Sequence, residues 1–171
     1  MSKTWLPERS ATIRVFTLDV FIISGPPSEA FARKHKRLGR TIEIRSDQTL
    51  QDLHKAIFDA FGRYDEHMYE FQIGGKGPMD PKARRYVLPE AIGQPMSGPR
   101  PAGVVTLTTI GSLGLSKDDI WGYWFDFGDD WWHQITVVDI CDPKPKTRYP
   151  RVTKRVGPNP PQYPDEDGEE E

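Results

Sequence analysis

Hydrophobic positions alternate along several stretches of the chain and recur at helical spacing in one. In residues 13–23 (IRVFTLDVFII) Phe16, Leu18, Val20 and Ile22 fall on one side, the period of a half-buried strand. Ser24-Gly25-Pro26-Pro27 ends it, because proline lacks the ladder donor and glycine accepts a turn. Residues 28–39 predict a connection with room for one helical turn, and residues 40–45 resume the period of two through Ile42 and Ile44. The period then changes: Leu50, Leu53, Ile57 and Phe61 form one stripe of a helix, with Thr49 and Asp52 in capping-box spacing and Gly62 as its stop. Residues 69–73 (YEFQI) predict another strand, followed by a Gly/Pro-rich stretch to Pro81. Prolines 89, 95, 99 and 101 make residues 82–103 a long loop with a short strand at 86–88. A short strand at 104–107 and a helical turn at 109–113 come next. Residues 120–127 and 132–140 are two strong strands, and Gly128-Asp129-Asp130-Trp131 between them has the turn chemistry of a hairpin.

Strand, strand, helix, strand, loop and hairpin in that order predict an α+β domain: a mixed, mostly antiparallel sheet with one main helix on a face, a β-grasp-like start and a C-terminal aromatic hairpin. The domain is placed at residues 12–141. Residues 1–11 are expected to be a disordered lead, and residues 142–171 a Pro-rich and acidic tail, extended or disordered; seven of the 16 prolines lie between Pro143 and Pro164. There are no internal repeats.

Composition narrows the class. With 171 residues the chain is large enough for one self-sufficient core. Its one cysteine, Cys141, excludes an internal disulfide framework and a zinc site built from several thiolates. No apolar run approaches the ~18 residues of a membrane helix, and residues 1–11 lack a signal peptide's apolar stretch, so a cytoplasmic protein with no membrane partner is expected. The net charge of −2 includes the six acids of the terminal DEDGEEE; setting those six aside leaves a body at +4, mildly basic and well short of a typical nucleic-acid surface.

Three constellations can carry chemistry. The first is His54, His67, Glu70, Asp126, Asp129, Asp130 and His133, since imidazole and carboxylate together ligate a divalent metal or run general acid–base catalysis. His67, Glu70, Asp126, Asp129 and His133 are the functional candidates if the hairpin brings Asp126 and His133 together. The competing reading is structural: turn aspartates that bond nearby amides, with Asp126 locking the hairpin, and histidines satisfied inside the core. The second is aromatic. Trp121, Tyr123, Phe125 and Phe127 alternate onto one face and Trp124 and Asp126 onto the other, so one face is core and the other is open to a loop, a protein or a base. The third is a basic run, Arg33, Lys34, Lys36, Arg37 and Arg40, which can contact phosphates or simply be solvated. Asp126-Phe127-Gly128 matches the kinase metal-binding tripeptide by letters only, because the rest of that machinery is missing, and Gly74-Gly75-Lys76-Gly77 lacks the spacing of a P-loop.

The blocks TLQDLHKAIFDAF, HMYEF, GYWFDFGDDWWHQI and YPRVTKRVGPNPPQYPDED resemble, in this order, the plasmid pRi open-reading-frame-three-like family, over residues 15–167. Members of that family often carry the label of a TnpR-like passenger protein of insertion elements. The resemblance implies an α+β fold and assigns no mechanism. A resolvase needs a nucleophilic serine in a catalytic setting and a separate helix-turn-helix, and this chain shows neither. Together these features favour a non-catalytic binding module with a macromolecular partner, protein rather than nucleic acid. No cofactor is predicted. The alternatives are an enzyme that uses a divalent metal at the His/Asp cluster, and a weak nucleic-acid binder acting through residues 33–40.

Overall fold

The alternating segments become neighbours in one sheet. The computed structural model describes residues 12–94 and 100–163; the lead 1–11 and the acidic end 165–171 lie outside them. Its strands are β1 (Val15–Ser24), β2 (Gly39–Arg45), β3 (Tyr69–Ile73), β4 (Arg84–Val87), β5 (Gly103–Val104), β6 (Ile120–Phe125), β7 (Trp131–Cys141) and β8 (Arg151–Val156). They form one sheet in the order β5-β4-β3-β6-β7-β1-β2-β8. Every neighbouring pair is antiparallel except β4 with β5, which makes the sheet mixed and the fold α+β. The opening hairpin β1–β2 leads into the main helix, as in a β-grasp, and β6–β7 sits between β1 and β3.

Two helices punctuate the strands, α1 (Glu29–Lys34) and α2 (Leu50–Ala60). The capping box of α2 is made as its spacing predicts: the Thr49 hydroxyl accepts from the Asp52 N–H at 3.1 Å, and the Asp52 carboxylate accepts from the Thr49 N–H at 2.9 Å. Two of the orphan donors of the helix N-terminus are thereby satisfied. The stripe Leu50, Leu53, Ile57 and Phe61 is buried against Leu18, Val20, Ile42 and Ile44 of β1 and β2 and the aromatics of β3 and β6. Burial of each such side chain is worth about 1.5–3 kcal/mol. One face of the sheet therefore carries the helix and core, and the other is an open face of mixed character. No helix among the described residues is long and apolar enough to cross a membrane.

Two boundaries differ from the sequence reading. The sheet does not stop near Cys141: β8 lies in the region read as a tail and pairs antiparallel with β2. Its charged residues suit an edge strand; Arg151 meets Glu43 at 2.7 Å, and Arg155 donates to the Ala60 carbonyl at 2.7 Å. The hairpin also turns earlier than expected. Asp126 and Asp130 adopt φ of 63° and 57°, so β6 ends at Phe125 and β7 begins at Trp131. Phe127 leaves the core face for this reason and is 38% exposed, while Trp131 is fully buried.

Candidate functional site

The register of β6 with β7 puts Tyr123 opposite His133, and β3 with β6 puts Tyr69 opposite Phe125. These core-facing positions sit beneath α2 and the loop that follows it. Around them the predicted cluster divides into separate hydrogen-bond networks.

His133 is fully buried. Its Nε2 receives a hydrogen bond from Arg63 Nη2 at 2.7 Å, so Nε2 is unprotonated and Nδ1–H donates to the Tyr123 carbonyl at 3.1 Å. Burial and then the Arg63 charge hold this imidazole well below its ordinary pKa. Arg63 itself is 6% exposed and lies over the rings of Phe61, Phe125 and Trp131 at 4.8–5.2 Å. Burial lowers its pKa to about 10, which leaves it a cation at neutral pH. Aromatic faces and one imidazole stand in for a carboxylate partner here.

His54, on α2, anchors a second network. Its Nε2 faces the Glu66 carboxylate at 2.8 Å and therefore carries the proton; its Nδ1 accepts from the Tyr123 hydroxyl at 2.6 Å. The ring stacks on Tyr69 with centroids 3.7 Å apart and planes 2° from parallel. Burial lowers the His54 pKa, and Glu66 pulls the other way. A groove of about 700 Å³ opens over this network, lined by His54, Lys55, Glu66, His67, Tyr69 and Glu90 among others.

His67 and Asp126 form a third, nearer the surface. Asp126 Oδ1 accepts from the N–H groups of Gly128 and Asp129 at 3.1 and 3.2 Å, the hairpin lock that its sequence context allowed. Its other oxygen lies 3.5 Å from His67 Nε2. Tyr163 donates to Asp65 at 2.6 Å, so His67 Nε2–H donates to the Tyr163 oxygen at 2.6 Å. Glu70 belongs to none of these networks: it points to the open face, buried in an ion pair with Arg85 at 3.0 Å and accepting from Gln72 at 2.8 Å. Asp129 is exposed in the turn, and Asp130 accepts from Trp124 Nε1 at 2.9 Å. Of the functional candidates, His67 and Asp126 meet through their side chains and Asp129 joins Asp126 through its N–H, while Asp126 and His133 do not share a network. Among the described residues no three or more His, Cys, Asp and Glu side chains are placed to hold a metal ion.

The basic run also divides. Arg33, Lys34, Lys36 and Arg37 are exposed, with Arg37 over the Phe21 ring at 4.7 Å. Arg40 is not available to phosphate. The alternation that buries Ile42 and Ile44 puts Arg40 on the same face, where it is 2% exposed and donates to the Ala60 carbonyl at 2.9 Å and to Asn159 Oδ1 at 2.7 Å.

On the outer face of the hairpin, Trp124 and Trp132 stack with centroids 4.7 Å apart and planes 6° from parallel, and Phe127 packs on Trp124 at 4.2 Å. Both tryptophans are partly exposed. The alternation places Trp124 on this face but Phe127 on the opposite one, and no sequence signal marks Arg63, Glu66 or Tyr163. An isolated arginine after a helix stop carries no periodic signal, and neither does a glutamate in a loop.

A family model described as plasmid pRiA4b ORF-3-like protein matches residues 31–167. The chain belongs to this family. The matched span takes in α2, all three networks and the hairpin of the plasmid pRiA4b ORF-3-like fold. Among solved structures, the crystal structure of a protein of unknown function, MM3350 from Methanosarcina mazei Go1, is similar with a TM-score of 0.63 and 22% identity, over 84% of this chain and 70% of that one. That likeness supports the fold alone. No curated protein matches the chain.

Proposed function

We propose that this plasmid pRiA4b ORF-3-like chain is a non-catalytic binding module that presents the outer face of the β6–β7 hairpin to a protein partner. The stacked, partly exposed pair Trp124–Trp132, extended by Phe127, carries the reading. Large rigid aromatics outside a core are the residues on which protein interfaces concentrate their energy. The candidate catalytic side chains, by contrast, spend their polar atoms on internal partners: His133 on Arg63 and a carbonyl, Asp126 on turn amides, Glu70 on Arg85 and Gln72. Asp129 and Asp130 border the aromatic stack, and their negative charge opposes a phosphate backbone there. Protein is therefore favoured over nucleic acid.

The test pairs capture with reconstitution. Proteins retained by the full chain from a lysate of its host are identified, and the best candidate is purified and titrated against wild type and Trp124→Ala/Trp132→Ala. Loss of about tenfold or more in affinity, with the fold intact by circular dichroism, is expected for hot-spot residues. Unchanged affinity in the double variant defeats the reading. So does retention of single-stranded DNA that falls steeply with salt and depends on Arg33, Lys34 and Arg37, which would favour the nucleic-acid alternative.

A further inference from the structure

The strand β3 ends near Ile73 in a second cleft, at the other end of the sheet from the hairpin turn. Its volume is about 430 Å³, within the range of small-molecule sites. Trp121, Arg84, Lys76, Gly74, Asp118 and Asp119 are among its lining residues. Arg84 pairs with Ile73 across β4 and β3, and continuing the β3–β6 register puts Trp121 in the same row, so guanidinium and indole face the same side of the sheet.

We infer that this cleft binds a small oxyanion, a carboxylate or phosphoryl group. Trp121 is 1% exposed, and its Nε1–H is buried with no hydrogen-bond partner among the described residues. An indole nitrogen can only donate, and a buried donor left unpaired is a costly exception in folded proteins, so whatever completes the site presents an acceptor. The charged end of Arg84 likewise makes no hydrogen bond or ion pair among the described residues, and it makes that acceptor an anion; Lys76, whose charge also acts on Asp80, adds positive charge to the lining. Gly74, at φ 87°, leaves room for the guanidinium: a Cβ there would come within 3.2 Å of Arg84 Nε. The two acids of the lining shape the charge balance. Asp119 is held by the Ser116 N–H at 2.8 Å, and Asp118 stands at the beginning of the β6 approach with φ 75°. Their charge opposes an anion, and Asp118→Asn is expected to tighten its binding.

The experiment reads the indole directly. Full-length protein with isotope-labelled tryptophan is titrated with sodium phosphate and, separately, with sodium succinate, at constant ionic strength. The Trp121 indole resonance, assigned through Trp121→Phe and through its response in Arg84→Gln, is expected to shift to saturation, while that of Trp124, already bonded to Asp130, stays in place. Arg84→Gln, at an exposed position, is expected to weaken binding about tenfold, the loss of one charge-assisted contact. Saturation by phosphate alone identifies a phosphoryl ligand, and by succinate alone a carboxylate. A shift that never saturates, that chloride reproduces, or that Arg84→Gln leaves unchanged overturns the inference.

Discussion

His54, on α2, and His133, on the sheet, flank the same tyrosine and are both neutral at physiological pH, yet they serve the fold in different ways. His133 is sealed: one nitrogen faces a buried cation and the other a backbone carbonyl. His54 spans the boundary, with Nδ1 on the buried Tyr123 hydroxyl and Nε2 on Glu66, whose carboxylate is 57% exposed at the rim of a groove. The protons sit on opposite nitrogens, Nδ1 in His133 and Nε2 in His54, because Nε2 faces a guanidinium that can only donate in the first and a carboxylate that can only accept in the second, which leaves the Tyr123 hydroxyl to donate to His54 Nδ1. A buried histidine is therefore no single kind of signal. One is a structural acceptor for an unpaired arginine, and the other links the interior to the surface.

The largest expected effect breaks the sealed network. Among the described residues, His133→Ala removes the only hydrogen-bond acceptor of the Arg63 guanidinium, a buried cation whose Nε and Nη1 already lack partners there, and opens a cavity beside Tyr123 and Phe61. Leaving a buried charge unpaired costs about 3–5 kcal/mol. Urea denaturation should show that loss, and Arg63→Met in the same background should restore part of it by removing the charge while keeping the volume. A loss under about 1 kcal/mol would mean that the aromatic cage alone supports Arg63.

Acidification tests both histidines together. Each has a folded pKa below its ordinary 6.5, so between the two values the unfolded chain binds more protons. Their contribution to stability is fully present above pH 6.5 and is lost as pH falls below it, by up to about 1.4 kcal/mol per pH unit for each histidine. Urea midpoints measured from neutral pH down to the onset of carboxylate titration should fall throughout. A flat profile would mean that neither imidazole is held neutral by the fold.

Tyr123→Phe separates the two networks. It leaves His54 Nδ1 without its donor and leaves the bond from His133 intact, because that bond goes to the Tyr123 carbonyl. A cost of about 1–3 kcal/mol is expected for the unsatisfied buried acceptor. The His133 tautomer, read by imidazole nitrogen NMR, should not change.

Much of the scaffold that holds these groups was legible in the sequence. Apolar alternation gave β1 and β2, the Leu50–Phe61 stripe with its Thr49/Asp52 cap gave α2, and the Gly-Asp-Asp turn gave the hairpin. These are local signals, carried by neighbours in sequence. Little of the site was legible, because its pairings are long-range: Arg63 with His133, Arg40 with Asn159, His67 with Tyr163. Alternation could have flagged Arg40, since it continues the face of Ile42 and Ile44, but a charge next to other charges reads as solvated. β8 was hidden for the converse reason, since an edge strand tolerates a charged pattern that a central strand does not. Phe127 left its expected face through the positive φ of Asp126.

The smallest effect expected, Glu66→Gln, sharpens the contrast most. Glu66 is the one group that raises the His54 pKa against burial, both by its charge and by its hydrogen bond. Removing the charge keeps the acceptor oxygen and the shape, so the fold should persist, but the imidazole loses the partner that stabilises its protonated form. The His54 titration, followed by NMR, should move to still lower pH. His133 has no contact with Glu66, and burial and then the Arg63 charge are the largest causes of its depression, the His54 charge the smallest, so its resonances should move little. Because Glu66 is largely in solvent, added salt should lower the His54 pKa of the wild-type protein towards that of Glu66→Gln and have little effect on His133. An unmoved His54 would mean that the Glu66 contact does not form in solution and that both histidines are sealed alike. Movement of both would mean that Tyr123 couples them into one titrating unit, and the distinction between an interior acceptor and a surface link would fail.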